Sequence, residues 1–169
     1  IAVSSGSAST VDLSQSSSYT FTASGLRNMG SSTANALRLT GGSYNTISLT
    51  TATTDGNQAI YVVGSTANVF TGLYAQTNGT TGIAFQNTTA SDNNAISQST
   101  FAVVAPGAVA LSLDGGSSCT VTGVFVDIPT GIGLSMFNGG YSTVQDSTFT
   151  TAGSGVLACD VLSECERLG

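Results

Sequence analysis

Glycine returns along this chain at a near-constant interval. Gly56, Gly79, Gly107, Gly131 and Gly155 are separated by 23, 28, 24 and 24 residues. A short apolar segment follows each of the first four: Ala59-Ile60-Tyr61-Val62, Gly82-Ile83-Ala84-Phe85, Val109-Ala110-Leu111-Ser112-Leu113 and Ile132-Gly133-Leu134-Ser135-Met136. A polar turn comes next, then a column aligned as Ile47, Val69, Ile96, Val121 and Val144. Five residues later stands a second column, Ala52, Tyr74, Phe101, Val126 and Phe149. A period of this length with Gly-rich corners suits one coil of a stacked repeat. No coil buries its apolar face alone, whereas stacked neighbours share a continuous core and pair their strand edges.

The segments themselves read as strands. Ala36-Leu37-Arg38-Leu39 and Val109 to Leu113 alternate with period two rather than 3.6. Hydrophobic residues make up 40% of the chain and charged ones 7%, with two Pro, the opposite of a disordered composition. The class is all-β. A β-sandwich with regular turns also gives a strand about every 8–12 residues. It does not explain why apolar segment, turn and column keep one order in every period.

Three segments, "LRLTGGSYNTISLTT", "LSLDGGSSCTVTGVFV" and "GLSMFNGGYSTVQDSTF", resemble rungs of right-handed parallel β-helix proteins of the pectate-lyase-like superfamily. The resemblance implies a right-handed parallel β-helix (β-solenoid) of about five rungs over residues 34–157. That superfamily includes polysaccharide lyases and hydrolases, phage tailspikes and bacterial surface proteins, so the likeness implies fold and little chemistry. Residues 1–33 lack the rung pattern and are expected to be an N-terminal extension, serving as cap, linker or exchanged strand. Within them Ile1, Val3, Val11 and Leu13 are the candidate assembly strand. Residues 158–169 are expected to form a short helical cap, with Val161, Leu162, Cys165 and Leu168 on one face.

Chemistry is constrained mostly by what is missing. The chain has three Arg, no Lys, no His and a formal net charge of −6. It therefore lacks a phosphate-neutralising patch and any His-dependent triad or zinc site, and neither nucleic-acid binding nor a cofactor is expected. No apolar run is long enough for a membrane span. Glycoside hydrolysis needs two carboxyl groups roughly 5–9.5 Å apart. Asp92, Asp114, Asp127 and Asp146 fall at non-equivalent rung positions, and Arg38 is read as having no acidic neighbour in its column. No catalytic or metal-ligating residue is assigned. Cys159 and Cys165 are a candidate disulfide, which leaves Cys119 buried, free or intermolecular. Asn78-Gly79-Thr80 and Asn87-Thr88-Thr89 are glycosylation sequons on predicted turns.

The chain opens at Ile1 without Met or a signal peptide, as a processed chain or a segment of a longer one would. Twenty-five Ser, 25 Thr and 21 Gly on a nearly uncharged surface, with three Cys, point to an extracellular or cell-surface location. The expected function is structural and non-enzymatic: a self-assembling module of a surface filament or appendage whose partners are further copies of itself. The alternative is a carbohydrate-binding or carbohydrate-processing β-helix of the tailspike or polysaccharide-lyase sort, with glycans as partners. Ice binding is third. For it, Thr46-Ile47-Ser48, Thr120-Val121-Thr122 and Thr143-Val144-Gln145 share a register, with Asn68-Val69-Phe70 and Ala95-Ile96-Ser97 read as interruptions. Thr20-Phe21-Thr22 is read as falling elsewhere.

Overall fold

Period-two segments joined by Gly- and Asn-bearing corners leave each strand one apolar face, and three such faces close around a shared interior. In the computed structural model, residues 2–3, 9–22, 24–29, 34–129, 131–138, 140–151 and 156–159 are described. They form three parallel sheets. The first holds β1 (Ala2–Val3), β4 (Gly25–Asn28), β7 (Thr51–Thr54), β10 (Tyr74–Thr77), β13 (Thr100–Val103), β16 (Phe125–Ile128) and β19 (Thr148–Thr151). The second holds β2 (Val11–Ser14), β5 (Leu37–Thr40), β8 (Gln58–Val63), β11 (Ile83–Asn87), β14 (Ala108–Asp114), β17 (Gly131–Phe137) and β20 (Val156–Cys159). The third holds β3 (Thr20–Thr22), β6 (Thr46–Ser48), β9 (Val69–Thr71), β12 (Ala95–Ser97), β15 (Thr120–Thr122) and β18 (Thr143–Gln145). Every neighbour in a sheet is one coil away in sequence, so the chain is a parallel β-solenoid. The five coils expected over residues 34–157 run from β5 to β19.

Corners are made by single left-handed residues at equivalent places. Between third-sheet and first-sheet strands stand Leu49, Gly72, Gln98, Gly123 and Asp146, with φ of 47, 62, 48, 62 and 51°. A non-glycine residue there costs about 1–2 kcal/mol. The following hydroxyl helps offset it. Thr50, Ser99 and Ser147 donate to the carbonyl two residues back at 2.8, 2.7 and 2.8 Å, fixing the turn from within.

The interior is apolar and aromatic at its middle. Phe70 meets Phe85 edge-on at 5.1 Å between centroids, and Phe85 meets Phe101 at 5.5 Å. Here the expected columns need one correction. Ile47 pairs with Phe70, not Val69, and the column runs Phe21, Ile47, Phe70, Ile96, Val121 and Val144. Likewise Ala75, not Tyr74, stands between Ala52 and Phe101. Val69 and Tyr74 point outward, 42% and 38% exposed. Both slips occur in one coil, where two adjacent residues are apolar and pattern alone does not choose between them. A slip of one residue exchanges the faces of a strand.

The ends also differ from expectation. Residues 11–28 continue the three sheets as β2, β3 and β4, so this part of the 1–33 segment is itself a coil. Val11 and Leu13 pair within the chain with Leu37 and Leu39, and Val3 pairs with Leu26; Ile1 lies outside the described residues. At the other end the backbone of Cys159 belongs to β20, beside Met136. The expected helical face from Val161 to Leu168 lies outside the described residues, among which there is no helix.

Candidate functional site

Just before each third-sheet strand the chain turns inward, and in three successive coils the residue there is Asn. Asn45, Asn68 and Asn94 are fully buried and stacked. The Asn45 backbone N–H and Nδ2 both donate to Asn68 Oδ1, at 2.9 and 3.0 Å. Asn68 repeats both bonds to Asn94 Oδ1, at 2.8 and 3.0 Å. Below, Tyr19 N–H donates to Asn45 Oδ1 at 3.0 Å. Asn94 Nδ2 ends among the Ser65 carbonyl, Asn87 Oδ1 and the Ser91 carbonyl, at 2.8 to 3.0 Å. These bonds satisfy groups that would otherwise be buried without water. The signal was present in the sequence as Asn-x-apolar at Asn45, Asn68 and Asn94 and was not read as a ladder.

Cys119 takes the next place in that ladder. The Asn94 backbone N–H and, at 3.4 Å, Asn87 Nδ2 approach its sulfur, which faces the Ser91 carbonyl at 3.4 Å. Burial pushes its thiol pKa up, with Asp92 adding to the rise, while the hydrogen bonds from Asn94, Ser142 and Asn87 oppose it. Cys119 is free. The Cys159–Cys165 pairing falls outside the residues whose side chains are described.

The charged groups are dispersed. Asp12 stands beside Arg38 in one column, with 4.0 Å between Arg38 Nη1 and Asp12 Oδ2, so Arg38 does have an acidic neighbour. Sequence reading missed it because β2 had not been assigned to a coil. Arg27 and Asp55 make a second exposed pair at 4.0 Å. Such pairs contribute about 0–1 kcal/mol. Asp92 Oδ1 accepts the Ser117 N–H at 2.7 Å and serves a corner. Asp114 and Asp127 lie on different sheets, and Asp146 occupies a left-handed corner. Among the described residues no group of three acidic, Cys or His side chains is placed to hold a metal ion, and no helix is long and apolar enough to cross a membrane.

The outer face of the third sheet is rich in hydroxyls. One outward column reads Thr20, Thr46, Val69, Ala95, Thr120, Thr143, and the other Thr22, Ser48, Thr71, Ser97, Thr122, Gln145. Thr20-Phe21-Thr22 is therefore in register with the rest; Val69 and Ala95 interrupt the first column, as expected, whereas Thr71 and Ser97 continue the second. Hydroxyls of adjacent coils bond to each other: Thr22 to Ser48 at 3.0 Å and Ser97 to Thr71 at 3.1 Å. The face carries no charge. The outer face of the first sheet has Arg27, Asp127 and two half-exposed aromatics, Tyr74 and Phe125, two coils apart in one column.

The two sequons lie in opposite surroundings. Asn87 is 0% exposed, and its Nδ2 donates to the Ser91 carbonyl at 2.8 Å, which leaves no room for a glycan in the folded coil. Asn78 is exposed at a turn.

No protein-family model, curated protein or solved structure matches this chain.

Proposed function

We propose that this chain is an extracellular structural protein, a self-associating module of a surface filament or appendage, without catalysis of its own. The constancy of the coil carries this reading. Its columns stay in register from β3 to β18, each of which pairs on one side only among the described residues. An unpaired strand edge is a template for another chain. A second copy seated end to end would set its β1 against β19 and its β2 against β20, extending the first two sheets from copy to copy. Assembly then proceeds through coil ends and needs no donated N-terminal strand. The nearly uncharged Ser/Thr surface suits a material outside the cell. The test is sedimentation over a concentration series. Wild-type protein that stays monomeric throughout would refute the reading.

A second reading, ice binding, draws on the uncharged hydroxyl net of the third sheet. Nine of its twelve outward positions are Ser or Thr. Coil spacing and strand rise set a regular net of about 4.8 by 6.6 Å. Thermal hysteresis that disappears in Thr71→Lys/Thr122→Lys would support it; no hysteresis in the wild type would end it.

A further inference from the structure

The corner after β10 holds an exposed Asn-Gly pair, Asn78-Gly79, in an arrangement that activates the Asn amide. Gln76 Nε2 donates to Asn78 Oδ1 at 2.8 Å. Asn78 Nδ2 donates to Asp55 Oδ1 of the coil below at 2.7 Å. The first bond draws electron density from the carboxamide carbon and would stabilise an oxyanion formed there. The neighbouring nucleophile is the Gly79 backbone nitrogen. Its bond is not to a backbone carbonyl of the sheet ladder but to the side-chain hydroxyl of Thr77, at 3.2 Å. Position 79 is also held as glycine by the stacking: a Cβ there would strike the Gly56 carbonyl oxygen. The coil thus requires the residue that leaves this nitrogen least hindered.

The geometry points to Asn78 as a site of spontaneous modification, in which the chain converts this residue to aspartyl and isoaspartyl forms. Gly79 N loses its proton to solvent and attacks Cγ of Asn78, forming a C–N bond. Nδ2 takes up a proton and leaves as ammonia, giving a cyclic imide. Water then opens the ring, at Cγ to give the isoaspartyl link's counterpart, an ordinary aspartyl residue, or at the main-chain carbonyl to give the isoaspartyl link. The net change is one water consumed and one ammonia released, with no oxidant or reductant. Either product replaces the Asn78–Asp55 hydrogen bond by two carboxylates on adjacent coils, about 4.8 Å apart in strand spacing, which repel. The modification would loosen this corner between β7 and β10. The buried Asn45, Asn68 and Asn94 are protected, since their amides are locked in the ladder and none precedes glycine. Asn138 also precedes a glycine, but Gly139 lies outside the described residues.

The test is peptide mapping by mass spectrometry after prolonged incubation of the intact protein in mildly alkaline buffer, beside a urea-unfolded control. The expected result is loss of the unmodified Asn78 peptide in folded protein, with isoaspartyl product and with the Asn45, Asn68 and Asn94 peptides intact. Gln76→Ala should slow the conversion in folded protein and leave it unchanged in urea. An Asn78 peptide that persists in the folded protein while it is lost in urea would overturn the inference. So would equal folded-state rates in Gln76→Ala and the wild type.

Discussion

Asn68 gives two hydrogen bonds to one atom of Asn94: its backbone N–H and its Nδ2 both reach Asn94 Oδ1, at 2.8 and 3.0 Å. Asn45 does the same to Asn68, so three coils are clamped at one height and one register. A buried polar pair of this kind specifies alignment because a shifted coil would leave several amides unpaired, each costing about 1–3 kcal/mol.

Replacing Asn68 by Leu should therefore cost more than its change in size suggests. The Asn45 backbone N–H loses its acceptor, Asn45 Nδ2 keeps only the Ser16 carbonyl, and Asn94 Oδ1 loses a donor. A loss of about 3 kcal/mol or more is expected, measured by urea unfolding. A loss within a few tenths would mean that the ladder does not set the register.

Phe70 and Val69 discriminate the two registers directly. Phe70 is fully buried and Val69 is 42% exposed. Phe70→Ala should cost about 3–5 kcal/mol, whereas Val69→Ala should cost less than about 1 kcal/mol. The reverse order would restore Val69 to the inward column.

Glycine matters unequally along the coil. A Cβ on Gly42 would strike the Ser16 carbonyl oxygen, whereas one on Gly25 would meet nothing within 4 Å. Gly42→Ala should destabilise by about 1–3 kcal/mol through backbone displacement, with Gly25→Ala near neutral. Thermal unfolding of the two variants makes the comparison.

Cys119 gives stability an alkaline dependence. Burial holds its folded pKa above that of the unfolded thiol. Its contribution is complete below the unfolded value, about 8.5, and is lost as pH rises from there through the folded pKa. Wild-type protein should lose stability relative to Cys119→Ser across that window and match its trend below it. Parallel curves through the alkaline range would mean that the thiol is not buried as described.

Much of the fold was legible in the chain because each coil repeats its own signals. Gly-bearing corners and β-branched columns gave the all-β solenoid and the five coils over residues 34–157. What was less legible had physical causes. The outward Val69 and Tyr74 each adjoin an inward apolar residue, so the alternation is ambiguous there. Val11-Asp12-Leu13 and Thr20-Phe21-Thr22 are strands of three or four residues without a Gly-Gly turn between them, too short to identify a coil until they are seen beneath β5 and β6. The salt bridge of Arg38 and the extension of the hydroxyl columns to Thr20 and Thr22 both depend on that first coil. Asn87 shows the converse limit: its sequon reads as a surface turn, yet its side chain faces inward at the end of β11.

End-to-end association is tested most directly by electron microscopy and fibre diffraction of concentrated native protein. Filaments one solenoid wide, with the strand spacing of about 4.8 Å running along the filament axis, are the expected result. Monomers at every concentration, or filaments whose strands lie along the axis, would contradict it.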